Sequence, residues 1–139
     1  MENNKDNVDL LIKAASYIDE ENYYTPLHYL VLRKLPSGFI ERLLQLAPDT
    51  IKVQNNKGSL PLHTALACKT SSDIINMLFQ AYPKAVEVQT NFGYLPLYHA
   101  LNNNASDVVI KMLFQLYPKA AEKQNNNGWL PLTPFCTPV

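Results

Sequence analysis

Histidine is the side chain best suited to acid–base or metal chemistry near neutral pH, and the chain carries three: His28, His63 and His99. His28 and His63 each end a Pro-Leu-His triplet and lie 35 residues apart, so they are expected at equivalent places on neighbouring helices. Packed helices keep their axes roughly 8–10 Å apart, whereas zinc–nitrogen bonds are about 2.0–2.1 Å, so the two rings cannot share a metal. His99 falls one position along its segment and is expected on a different face. Cys68 and Cys136 form no Cys-x-x-Cys pair and read as reduced structural thiols. The acidic residues are scattered and offer no pair for acid and base work. The chain has no GxSxG, P-loop, GxGxxG or HExxH pattern, and its four glycines are little material for a phosphate cradle. The expectation is therefore no catalytic residue, no metal site and no cofactor.

The residues that remain informative are those that shape the fold. A chain of 139 residues with 47% hydrophobic and 17% charged side chains has the composition of a folded single domain. Its 12 basic and 12 acidic residues cancel, which argues against nucleic acid or an anionic membrane as a partner. Residues 1–22 hold six acids (Glu2, Asp6, Asp9, Asp19, Glu20, Glu21) against Lys5 and Lys13, a mild polarity read as a solvated cap. No apolar run approaches the roughly 18 residues of a membrane helix, and Met-Glu-Asn-Asn-Lys-Asp has no signal core. A cytosolic or nuclear monomer is expected. Asn104-Ala105-Ser106 matches a glycosylation acceptor but reads as a loop.

One spacing organises the chain. Pro26, Pro61, Pro96 and Pro131 are 35 residues apart, as are Gly58, Gly93 and Gly128, and Pro48, Pro83 and Pro118. A fixed period of this size signifies stacked units that bury their apolar faces against each other. Within a unit, proline suits a first helical position and Leu62, Ala65 and Leu66 keep the i, i+3, i+4 spacing of a buried stripe, which predicts a short inner helix. Ser37, Ser72 and Asp107 are expected to cap a second helix. Ile75, Leu78, Phe79 and Tyr82, repeated as Ile110, Leu113, Phe114 and Tyr117, form its buried face. Pro83 and Pro118 stop it. Val86 and Val88 alternate with polar residues towards Asn91-Phe92-Gly93, which, like Asn56-Lys57-Gly58 and Asn126-Asn127-Gly128, predicts a tight tip with glycine at positive φ. Val8, Leu11, Ile12 and Ala15 share one helical face, giving an N-terminal capping helix over 1–21. The units then run 22–57, 58–92 and 93–127, and residues 128–139 form a partial unit or C-terminal cap in which Leu130, Leu132 and Phe135 cover the last repeat.

Thr25-Pro26-Leu27-His28, Leu60-Pro61-Leu62-His63-Thr64-Ala65 and Leu95-Pro96-Leu97-Tyr98-His99-Ala100 resemble the T-P-L-H-x-A signature of ankyrin repeats. The resemblance spans residues 22–133 and draws its specificity from recurrence. It departs in having leucine for the motif threonine at 60, 95 and 130, and Tyr98 and Thr133 for the histidine. A lost threonine cap costs about 1 kcal/mol, which a buried leucine worth about 1.5–3 kcal/mol can offset. A tetratricopeptide array, of period 34, lacks the tips and the Pro-Leu-His start. The resemblance implies an all-α repeat solenoid of helix–turn–helix units with short projecting hairpin loops. It also implies that the motif histidines hydrogen-bond loop backbone and that partners dock on the concave side.

On that side the residue after each turn glycine, or its equivalent, is Tyr24, Ser59, Tyr94 or Trp129, beside Lys57, Phe92 and Asn127. These rings are expected to point away from the core, where tyrosine and tryptophan supply large contact area at low entropy cost, or else to pack on neighbouring tips. A second row, Arg33, Cys68, Lys69, Asn102 and Asn103, should lie at the ends of the inner helices. The function expected is a non-catalytic scaffold for a protein or peptide partner. The alternatives are a regulatory or targeting piece of a larger enzyme or effector, and direct ligand or metal binding.

Overall fold

The computed structural model describes residue 21 and residues 23–131. The expected N-terminal helix, and the lid residues Leu132 and Phe135, lie outside the described residues. Within them the chain is all-helical: α1 (Pro26–Leu32), α2 (Ser37–Leu46), α3 (Pro61–Ala67), α4 (Ser72–Ala81), α5 (Pro96–Asn102) and α6 (Asp107–Leu116). Single 3₁₀ turns follow α2, α4 and α6 at Pro48–Lys52, Pro83–Glu87 and Pro118–Glu122. No helix among the described residues is long and apolar enough to cross a membrane.

Each short helix opens on proline, whose missing N–H is not needed there. Thr25 caps α1 through its hydroxyl, which accepts from the His28 N–H. Leucine has no such acceptor, so at α3 only the reverse bond remains, from the Leu60 N–H to His63 Nδ1 at 3.0 Å. Leu60 and Leu95 are instead buried, the exchange that offsets the lost cap. The longer helices begin one residue earlier than expected for their caps. Pro36, Ser71 and Ser106 are the N-cap residues, and Ser37, Ser72 and Asp107 are the first residues inside. Only Ser106 among these three caps accepts a hydrogen bond, from the Val109 N–H. Pro83 and Pro118 end α4 and α6 as expected, and the backbone then turns into a 3₁₀ helix that the alternation of Val86 and Val88 with polar residues did not indicate.

The short helices pack in sequence order, α1 on α3 and α3 on α5, and the longer ones likewise, α2 on α4 and α4 on α6. Equivalent leucines 35 residues apart form the core: Leu27, Leu62 and Leu97 in one row and Leu43, Leu78 and Leu113 in the other, all buried. The middle pair is covered on both sides. Phe79 is accordingly buried, while Leu44 and Phe114 at the same position are half-buried. After each short helix the chain turns through a left-handed residue, Lys34, Lys69 or Asn104, each at φ 54°. In each turn the N–H of the following residue reaches back to a helix carbonyl, as Leu35 N–H does to Leu30 and Thr70 N–H to Ala65.

Candidate interaction surface

The loops that follow the 3₁₀ turns close into small tips. Asn55 N–H bonds the Ser59 carbonyl, Thr90 N–H the Tyr94 carbonyl and Asn125 N–H the Trp129 carbonyl, at 2.8–2.9 Å. Gly58, Gly93 and Gly128 take φ between 76° and 84°, the left-handed conformation expected of them. Side chains missed by sequence reasoning complete each tip. Asn55 Oδ1 accepts from the N–H groups of Lys57 and Ser59, Asn125 Oδ1 from those of Asn127 and Trp129, and Thr90 Oγ1 from that of Tyr94. Their 35-residue spacing is present in the chain, and asparagine closing a turn on N–H groups two and four residues ahead is a recognisable local signal. Asn55→Ala is expected to cost about 1–3 kcal/mol, because two tip N–H groups lose their acceptor. Urea unfolding of the variant measures it.

Neighbouring tips are bonded to each other. Asn91 N–H donates to the Lys57 carbonyl and Asn126 N–H to the Phe92 carbonyl, both at 2.9 Å. The same asparagines donate again through Nδ2, Asn91 to the Asn56 carbonyl and Asn126 to the Asn91 carbonyl. Gln89 Nε2 adds a bond to the Gln124 carbonyl. Five hydrogen bonds thus fix three tips in one row, so the surface they carry is held by the chain itself.

Of the tip residues expected to face outward, Lys57, Phe92 and Asn127 are exposed, while Tyr24, Ser59, Tyr94 and Trp129 are half-buried. The rings do not form one continuous row. Tyr24 sits against His28 and Tyr29 at one end, Ser59 interrupts, and Tyr94 stacks on Tyr98 with centroids 4.1 Å apart and planes 12° apart. Phe92, 58% exposed, leans towards Tyr94 with a centroid separation of 6.3 Å. In the second row Arg33, Lys69 and Asn102 are exposed, and Cys68 and Asn103 half-buried. Asn103 Nδ2 is turned back to the His99 carbonyl at 2.8 Å. Lys69 and Asn103 border a cleft of about 140 Å³ between the turn after α3 and the turn after α5, together with Thr70, Ser72 and Ser106.

His28 and His63 brace the tips from below. Nε2 of His28 lies 3.0 Å from the Ser59 carbonyl and Nε2 of His63 3.0 Å from that of Val88. Each ring thus ties its own helix start to the next loop, the role the resemblance implies. His99 does lie on a different face of its helix from the His28 and His63 position, but that face is not remote from them: its ring meets His63 edge-on at 5.6 Å and also abuts Tyr94 and Tyr98. Adjacent positions on a helix differ by about 100°, and on α5 that rotation turns position 99 towards α3. His99 Nε2 is buried with no hydrogen-bond partner among the described residues. Burial lowers the pKa of His99 to about 4. Burial, and then the neighbouring His99, lower that of His63 to about 3, against the opposing effect of its bond to Val88. Both are therefore neutral at pH 7. Among the described residues no three His, Cys, Asp or Glu side chains gather to hold a metal.

What the surface offers is a row of fixed backbone loops, one projecting phenyl ring on a stacked tyrosine pair, and exposed amides and cations. No protein-family model matches the chain, and no match is found among curated proteins.

Proposed function

We propose that the chain is an ankyrin-type repeat solenoid that acts, as a monomer in the cytosol or nucleus, as a non-catalytic scaffold for a protein or peptide partner. Recurrence supports the architecture: three helix pairs begin and end at the same 35-residue offsets and pack in order. The observation that carries the function is Phe92, a large apolar ring left 58% exposed on a loop whose backbone is hydrogen-bonded to both neighbouring loops. A pre-organised anchor loses little entropy on binding, and aromatic anchors dominate interface energetics.

Affinity capture with the full chain and Phe92→Ala as matched control tests this. Because the ring contributes little to the core, the variant is expected to unfold within about 0.5 kcal/mol of the parent. A partner held by the parent and lost by the variant is the expected result. Equal recovery by both, or large destabilisation by the substitution, would count against an interaction role for the tips. Tyr94 is unsuitable as a control, since its stack with Tyr98 couples it to α5.

A further inference from the structure

The charged side chains are sorted between the two layers. The described tips, short helices and the turns after them cover residue 21 and residues 23–36, 54–71, 89–106 and 124–131; they hold Arg33, Lys34, Lys57 and Lys69 against one carboxylate, Glu21 in the first tip. The longer helices and 3₁₀ turns between them hold all the acids of residues 23–131, namely Glu41, Asp49, Asp73, Glu87, Asp107 and Glu122, against six bases. Over the described residues the outer layer is neutral, and the tip-bearing layer carries four cations against one carboxylate, an excess of three positive charges. All four cations are exposed. Lys34 and Lys69 moreover occupy the left-handed positions that end α1 and α3, where glycine or asparagine is less strained, and Asn104 shows that this turn accepts such a residue.

We propose that this layer binds an extended, acidic peptide segment of a partner protein; the proposal rests on the interaction-scaffold function and names its ligand class. Three short helices side by side, about 8–10 Å apart, make a face about 20 Å across, and extended chain advances about 3.3 Å per residue. The face therefore accommodates about six residues. Lys57 at the tips, and Arg33, Lys34 and Lys69 at the far ends of α1 and α3, border it on two sides and meet carboxylates from either edge. The exposed amides of Asn102 and Asn127 both donate and accept, which suits peptide backbone. A single nucleic acid strand fits less well. It needs a run of open ring faces on which successive bases stack, whereas the exposed rings of this layer among the described residues, Tyr23 and Phe92, belong to different repeats, and Tyr94 and Tyr98 stack on each other.

Selection from a random dodecapeptide display library on the immobilised full chain, followed by anisotropy titrations at low and high salt, tests the proposal. Enriched peptides are expected to carry clear net negative charge and to bind more weakly as salt rises. Lys57→Glu with Lys69→Glu should weaken them roughly tenfold at unchanged melting temperature, since both side chains are exposed. Neutral or basic peptides that bind the double variant as well as the parent but are lost with Phe92→Ala would overturn the acidic ligand class and leave the scaffold function standing. Enrichment of no peptide sensitive to either variant would overturn both. Oligouridylate binding tighter than any selected peptide would assign the face to nucleic acid. Peptide affinity that rises about tenfold when Asp6, Asp9 and Asp19 are changed to Asn would assign the face to the chain's own acidic N-terminal segment, and equally overturn the proposal.

Discussion

Lowering the pH from about 7 to about 5 is expected to remove about 4 kcal/mol of folding free energy, with His63 and His99 contributing about 2 kcal/mol each. Both imidazoles have a folded pKa below the ordinary value of 6.5, about 3 for His63 and about 4 for His99. Between those values and 6.5 the unfolded chain binds protons that the folded chain does not, so stability rises with pH across this window. It is fully present above pH 6.5 and is lost as the pH falls towards 4 and 3. His28, also lowered by burial, acts in the same direction. Above pH 5 the carboxylates are already ionised in the unfolded chain, their ordinary pKa values being about 3.9–4.3, so the imidazoles carry the slope. Urea unfolding at several pH values measures it, and a flat profile between pH 7 and 5 would contradict the burial of these rings. His99→Leu separates the two contributions. It removes one titrating group together with a buried nitrogen that has no partner, so it is expected to be neutral or stabilising at pH 7 and to reduce the acid slope by one proton's worth.

That pair of rings also marks where sequence reasoning stopped. The positions of Pro26, Pro61 and Pro96, and the apolar spacing behind them, made the helix starts and the two rows of core leucines legible, because both depend on residues within one unit and on its repetition. His63 against His99 depends on how far α5 is rotated relative to α3, a tertiary quantity that the offset of one position does not reveal. The N-cap shift has a different cause. Ser71 and Ser72 are both capping types, and composition alone does not choose between them; the backbone places Ser71 outside the helix and Ser72 inside. The 3₁₀ turn at Pro83–Glu87 was hidden because Val86 and Val88 alternate like a strand, yet Val86 is buried and Val88 half-buried within a segment that runs along α4 and α5. For the surface, residue types indicated aromatics beside the glycines, but only the stack of Tyr94 on Tyr98 decides that Phe92, and not Tyr94, projects.

Gly93→Ala is expected to destabilise the protein by about 2–5 kcal/mol, and Gly128→Ala by only about 1–2 kcal/mol. The two glycines share a backbone conformation, φ 84° and φ 82°, so the left-handed penalty of about 1–2 kcal/mol applies to both. They differ in what a methyl group would meet. At Gly93 it would lie 2.7 Å from Asn126 N, 2.7 Å from Asn126 Oδ1 and 2.9 Å from Asn125 Cα, whereas at Gly128 nothing among the described residues lies within 4 Å. Two of those three atoms are backbone, so the clash can be relieved only by moving the next tip, at an overpacking cost of about 1–3 kcal/mol. Movement of that tip also lengthens the bond from Asn126 N–H to the Phe92 carbonyl. Gly58, whose added methyl would meet Asn91 Oδ1 at 2.5 Å and Asn91 N at 2.7 Å, is expected to behave like Gly93. The difference between Gly93→Ala and Gly128→Ala in urea unfolding therefore measures the contact between adjacent tips, free of the backbone term common to both. Equal effects would mean that the tips are not in register with one another. The rigid row on which Phe92 is presented would then be lost as support for the proposed interaction role, whatever the helices beneath it do.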